Sequence, residues 1–252
     1  TDFVFGTGDF SISFWLKTTD VDFNILNPLT ATGAGYWGLI LQGSKLRWNN
    51  EYNVSNLWEI TSTALVDGNW HNVVLTRNSG TTLVWYDGVS QTLSVSADSN
   101  DYSGSGGLRI GDGNHDELLG NLSNLALWKN LALTEDQVLT IYNGGVPNSI
   151  SSLSPIGWWS FAGDSYFDGT NWICPDLGSG GNNGTSANMA GTELVGDGPG
   201  STANGIATSM NIPGDLKGDA PNSTSNAFSV NMGETDRTTG ISTVSITLPG
   251  TG

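Results

Sequence analysis

The sequence predicts an all-β fold, an antiparallel sandwich of two stacked sheets. Three observations carry the prediction. A strand-turn-strand unit runs from Trp70 to Gly88, and Phe10 to Lys17 alternates apolar with polar residues. The third is composition: 35 Gly and 10 Trp, with only 13% charged residues, suit short strands and many turns rather than helical bundles. At 252 residues there is room for one large β domain, or one domain and a smaller piece.

In chain order, Phe10, Ile12, Phe14 and Leu16 form one apolar face of the first strand. Thr18 to Gly35, with Pro28 and Gly33, reads as a loop. Trp37 to Gln42 and Lys45 to Trp48 form a hairpin around Gly43-Ser44, and Leu57 to Thr61 is another short strand. Asp67-Gly68-Asn69 turns into the central hairpin. There Trp70, Val73, Val74, Leu75 and Thr76 face Leu83, Val84, Trp85 and Tyr86 across the turn Asn78-Ser79-Gly80. Apolar residues on both faces of this hairpin require cover on both sides. Asp87-Gly88 opens a further turn toward Leu93 and Val95. Leu108 to Asp112 and Leu122 to Trp128 follow as strands, separated by the loop Gly113 to Gly120.

One helix is predicted, Glu135 to Asn143. Thr134 is its N-cap, Gln137 completes a capping box, Leu133 and Val138 are placed for a hydrophobic staple, and Gly144 ends it. Val138, Ile141 and Tyr142 share a face, which predicts packing on the sandwich edge. Ile156 to Phe161 reads as a buried strand. Gly163 to Gly205 is dominated by Gly, Asn, Ser, Thr and Asp, long for a loop inside a domain. Ala227 to Met232 and Ile241 to Leu248 read as late strands. The organisation is therefore a sandwich over residues 1–162 and an extended Gly/Asn/Ser-rich arm over 163–252, which would dock by strand addition.

Several of these motifs carry a resemblance. The Trp70-His71 pair opening a strand, the Tyr86-Asp87-Gly88 turn, Leu108-Arg109-Ile110-Gly111, Gly120 to Trp128 and Leu133 to Val138 resemble the laminin-G-like and pentraxin-like group. These are concanavalin A-like jelly rolls, and the resemblance covers roughly residues 10–145. It implies an antiparallel jelly-roll β-sandwich, a fold that hosts many activities. Members usually have an earlier strand, so with no initiating Met here, preceding sequence is expected. A second resemblance lies in Gly157-Trp158-Trp159, Asp176 to Thr185 and Ala187-Asn188-Met189. With Met210 to Asp215, Ala220 to Ser223 and Ser229 to Met232, these look like segments of structural proteins of marine tailed phages.

The net charge is −16, much of it on Asp residues suited to turns, which argues against nucleic acid, since phosphate binding needs Lys/Arg stripes. No run of about 18 apolar residues spans a membrane. Cys174 is the only cysteine, so no disulfide closes within the chain. His71 reads as a structural or surface histidine. Asp112, Asn114 and Asp116 are spaced two apart around His115, a pattern of alternate oxygens that can wrap Ca²⁺. It is no EF-hand, because Glu117 stands where Gly is required, and the competing reading is a plain acidic turn. The sequence fixes no other cofactor. The resembled group often binds Ca²⁺ through loop carboxylates, though with Asp where this chain has Asn124.

Glycoside hydrolases on this fold need paired carboxylates across a cleft. The six Glu residues are scattered, and the Glu-x-Asp-x-Glu strand of the laminarinase-like group is absent. An enzyme is therefore not expected. Tyr36, Trp37, Trp48 and Trp58 lie in or near strand ends, where ring faces could stack on a sugar; core packing is the alternative. The leading expectation is a non-catalytic, surface-exposed virion structural protein of a tailed phage, a capsid decoration or tail-fibre component with an adhesive role. Its partners would be other virion proteins or its own subunits as a homo-oligomer, and host surface glycans. The alternative is a secreted or cell-surface carbohydrate-binding module, calcium-dependent and extracellular.

Overall fold

A computed structural model of the chain describes residues 2–28, 35–51, 55–61, 63–104, 107–111, 118–161, 164–186, 230–231 and 245–246. They fall into two compact units, residues 1–159 with 176–182, and residues 160–175 with 183–252.

The first unit holds two antiparallel sheets. Its strands are β1 (Phe10–Thr18), β2 (Asp22–Pro28), β3 (Gly38–Gln42), β4 (Lys45–Glu51), β5 (Ser55–Thr61), β6 (Trp70–Asn78), β7 (Thr81–Tyr86), β8 (Val89–Gln91), β9 (Leu108–Ile110) and β10 (Gly120–Lys129), then helix α1 (Glu135–Tyr142) and strand β11 (Gly157–Trp159). One sheet runs β11-β10-β1-β6-β7-β8 and the other β5-β4-β3-β2-β9. This is the antiparallel jelly-roll sandwich that the sequence predicts, with one short helix.

Alternation on each strand sends one set of side chains between the sheets. Phe10, Ile12, Phe14 and Leu16 of β1 are at most 1% exposed, as are Phe23, Leu39, Leu41 and Leu46 of the facing sheet. Each such side chain contributes about 1.5–3 kcal/mol by leaving water. The turn between β6 and β7 places Ser79 (φ 49) and Gly80 (φ 77) in the left-handed region that a two-residue hairpin turn demands.

The opposite face of the six-stranded sheet is also covered. Val74, Trp85, Ala126 and Trp128 pack with Leu133, Val138, Ile141 and Ile150. Helix α1 thus lies over the sheet face, not at the sandwich edge as its apolar stripe suggested. Ser11 and Ser13, the polar positions of β1, are fully buried beneath this layer. Ser11 accepts a hydrogen bond from the Leu133 N–H and donates to the Leu131 carbonyl. The Thr134 capping box forms, and the helix ends one residue early because Asn143, not Gly144, takes the first left-handed position (φ 47).

Residues 18–35, expected as a loop, contain β2. A bulge between Asn24 and Leu26 places both Ile25 and Leu26 in the core, which breaks the period-two signal, and Pro28 closes the strand. In the second unit β12 (Tyr166–Phe167), β13 (Trp172–Cys174) and β14 (Gly184–Ser186) form a small antiparallel sheet within the Gly-rich stretch. Asp168 builds the connecting turn by accepting from the N–H groups of Thr170 and Asn171. Of the late strands, the described residues are β15 (Val230–Asn231) and β16 (Ser245–Ile246), which pair antiparallel.

Candidate functional site

The outward face of the five-stranded sheet differs from that of its partner sheet. On β2, β3, β4 and β5 the positions alternating with the core carry polar side chains. Register sets them in rows: Asn24 opposite Ile40, Ile40 opposite Arg47, and Arg47 opposite Glu59. Asp22 stands opposite Gln42, Asn27 opposite Arg109, and Gly38 opposite Asn49. Ile40 is the one large apolar side chain in these rows.

Burial is graded across the face. Asn24, Asn27 and Asn49 are 2%, 4% and 8% exposed, whereas the side chains of Lys45 and Glu59 are 43% and 33% exposed. Glu59 organises the open end by pairing with Lys45 and lying 3.3 Å from Arg47 Nε. The Lys45 hydrogen bond, with the Arg47 charge, holds the Glu59 carboxyl below the usual carboxylate range. Arg47 Nη1 donates to Gln42 Oε1, which fixes the guanidinium over β3. Three buried polar atoms on this face, Asn24 Nδ2, Asn49 Oδ1 and Asp22 Oδ1, have no hydrogen-bond partner among the described residues. A buried polar atom left in that condition costs about 1–3 kcal/mol. The accessible groups of this face are those of Lys45, Arg47 and Glu59, and two-headed carboxylate and guanidinium groups suit neighbouring hydroxyls of a guest.

The aromatic residues singled out in the sequence lie elsewhere. Tyr36, Trp37, Trp48 and Trp58 are 7%, 0%, 1% and 1% exposed, so their ring faces belong to the core and are not offered to a sugar. Trp37 stacks on Trp48 with centroids 5.3 Å apart, and Phe10 stacks on the Trp48 ring at 5.4 Å. The cause is register: Trp48 stands opposite Leu39 and Trp58, on the inward side of the sheet. Asp112, Asn114 and Asp116, with His115, lie outside the described residues. Among the described residues no group of three or more His, Cys, Asp or Glu is placed to hold a metal, and no helix is long and apolar enough to cross a membrane.

His71 sits at the other sheet in a carboxylate clamp. Its Nδ1 is 2.8 Å from Asp87 Oδ2 and its Nε2 is 3.0 Å from Asp67 Oδ1. Burial would lower its pKa, but the hydrogen bonds and charges of Asp87 and Asp67 outweigh that and raise it. The same His71 contact, helped by Asn69, lowers Asp67 to about 2. Asp87 Oδ1 also accepts the Asn72 N–H, so the cluster fixes the Tyr86-Asp87-Gly88 turn to the start of β6. Its work is structural. In the second unit, burial pushes the Cys174 thiol up, which makes it a poor nucleophile.

The sequence reading missed the polar rows because it followed aromatic residues. The signal was present as period-two polarity: Asp22 and Asn24 flank Phe23, Lys45 and Arg47 flank Leu46, and Glu59 lies between Trp58 and Ile60.

Comparison with known proteins bears on the fold. Residues 1–139 match the family model described as the concanavalin A-like lectin/glucanases superfamily. A solved structure described as a "putative carbohydrate binding protein" from Bacteroides ovatus superposes with TM-score 0.54 at 18% identity, over 77% of this chain and 55% of that one. Mouse laminin alpha1 domains LG4-5 give TM-score 0.40 at 16% identity, over 50% of this chain and 37% of that one. Domain 4 of a Geobacillus stearothermophilus extracellular arabinanase, in complex with arabinotriose, gives 0.40 at 16%, over 54% and 68%. The chain spans about half or less of the laminin and Bacteroides chains, and no curated protein matches it. With the two-sheet architecture and the match over residues 1–139, the chain belongs to the concanavalin A-like lectin/glucanases superfamily.

Proposed function

We propose that the first unit is a non-catalytic glycan-binding, adhesive domain that takes its ligand on the outward face of the five-stranded sheet. One observation carries the proposal: the polar row Asn24, Arg47, Glu59, which ends in the partly exposed cluster of Lys45, Arg47 and Glu59. The carbohydrate-binding description of the Bacteroides relative supports the same reading. The setting we propose is the surface of a tailed-phage particle, as capsid decoration or tail fibre, with self-association supplying avidity to a weak site. The sequence resemblances in residues 157–189 and 210–232 support that setting.

The test is a glycan array probed with the full chain, with and without Ca²⁺, beside the double variant Asn49→Ala/Arg47→Ala. Binding that the variant loses while keeping its thermal transition is the expected result. No glycan bound under either condition, or binding indifferent to the substitutions, overturns the proposal. Antibody to the chain labelling the outside of purified particles supports the virion setting; label confined to secreted or cell-surface material replaces it with the secreted-module reading.

A further inference from the structure

The cations of this acidic chain are unevenly placed. Of 8 Lys and Arg residues in a chain of net charge −16, Lys45, Arg47 and Arg109 all stand on the outward face of the five-stranded sheet. Arg77, by contrast, is buried at 1% exposure. In the rows described above these three cations stand with Asp22 and Glu59, against 24 acids and 8 cations in the chain as a whole.

Arg47 is the best placed of the three. Its side chain is 19% exposed, and Gln42 and Glu59 hold it from one side. No described residue engages its Nη2 edge. A guanidinium oriented by neutral and acidic neighbours presents parallel N–H groups that match the two oxygens of a carboxylate or sulfate. Partial burial limits screening by salt, so such a pair is stronger than one on an open surface. Resting on the glycan reading above, we propose that the ligand is an acidic glycan, one bearing uronate carboxylates or sulfate esters, with Arg47 binding the acidic group and Lys45 and Arg109 supporting it.

Glu59 makes the proposal discriminating. It holds Arg47 in place, yet it carries the charge that an acidic ligand must approach. Titration calorimetry of the full chain would use an oligo-alginate, a sulfated galactan oligosaccharide and a neutral β-glucan oligosaccharide. Preference for at least one acidic probe over the neutral one by about ten-fold or more is expected for a desolvated charge pair. Arg47→Gln removes that preference, lowering affinity for the acidic probe by about ten-fold or more. Glu59→Gln, nearly isosteric, raises acidic affinity by about three-fold as the repulsion is removed. Alginate and galactan separate carboxylate from sulfate recognition. Equal binding of acidic and neutral probes, or a Glu59→Gln variant that binds the acid more weakly while melting normally, overturns the acidic specificity and leaves glycan binding standing. Binding of none of the three, with none on the array, overturns both.

Discussion

Replacing Arg77 by Met will cost the first unit about 4 kcal/mol. Arg77 lies at the end of β6 with 1% exposure and donates to backbone carbonyls rather than to solvent. Nε and Nη2 reach the Gly8 carbonyl at 3.1 and 2.6 Å, Nη2 also reaches Gly6 at 3.0 Å, and Nη1 reaches Asn100 at 2.9 Å. The guanidinium lies 5.1 Å from the Phe10 ring centroid and 4.9 Å from that of Tyr102, with Asp98 Oδ2 at 3.7 Å from Nη1. It therefore ties residues 5–8 to residues 98–102. Methionine replaces the stem but none of the donors. The Gly6 carbonyl keeps the Tyr102 N–H, and Asp98 keeps the Tyr102 hydroxyl, so not every acceptor is orphaned. The Gly8 and Asn100 carbonyls lose their guanidinium donor, at about 1–3 kcal/mol each where burial is complete. Breaking a buried ion pair from one side costs about 3–5 kcal/mol, and the two estimates overlap near 4. For a unit of this size that is a fall of about 8–16 °C in Tm. Urea denaturation would show a lower midpoint at unchanged slope. In a double-mutant cycle, Arg77→Met with Asp98→Asn should cost at least about 1 kcal/mol less than the sum of the singles. A loss under about 1 kcal/mol, or strict additivity, would refute the clamp.

Three further outcomes follow from local geometry. Because His71 has a raised folded pKa, its clamp contributes fully below about 6.5 and fades as pH rises through the folded value. Wild type minus His71→Gln stability should therefore be larger at pH 5.5 than at pH 9, by less than about 1 kcal/mol given the exposure of both carboxylates; a flat difference contradicts the assignment. Asp176 accepts from the N–H groups of Trp158, Gly178 and Asn182, so Asp176→Ala should cost about 2 kcal/mol and speed amide exchange at Gly178 and Asn182. Gly88 has φ +75, and an added Cβ would lie 3.0 Å from Leu139 and 3.1 Å from Tyr142. Gly88→Ala should cost at least about 1–2 kcal/mol in a thermal melt, and a neutral result would mean that α1 shifts freely.

How much was legible in the sequence depended on whether the cause was local. Strand β1, the β6–β7 hairpin and the capping box of α1 were readable because alternation, a Ser-Gly turn and Thr134 with Gln137 act within a few residues. Strand β2 was hidden by its bulge, where one extra residue destroys the period. The strands of the small sheet are two or three residues long, too short for any period to register. The position of α1 on a sheet face depended on Ser11 and Ser13, whose small size is a packing requirement that looks like solvent exposure. The polar face of the five-stranded sheet was missed for a similar reason. Which side of β4 carries Trp48 and which carries Arg47 is set by pairing with β3 and β5, and composition alone weighted the Trp.

The two outward faces argue for different uses. The six-stranded sheet buries Val74, Trp85, Ala126 and Trp128 under α1 and the segment through Ile150, and Ser11 bonds to Leu131 and Leu133. That face is covered by the protein itself, although Ser13 Oγ and Asn72 Oδ1 of the same sheet have no partner among the described residues. The five-stranded sheet carries amides, carboxylates and cations at the corresponding positions, with Ile40 as the single large apolar contact. Stability alone would favour apolar residues or full pairing there, because a partly paired polar cluster in low dielectric is worse than either. Both sheets keep buried polar atoms without a described partner, so what distinguishes the five-stranded sheet is the partly exposed cluster of Lys45, Arg47 and Glu59 at its open end. Charged groups held in place at the open end of the five-stranded sheet are the reason to look for a ligand there.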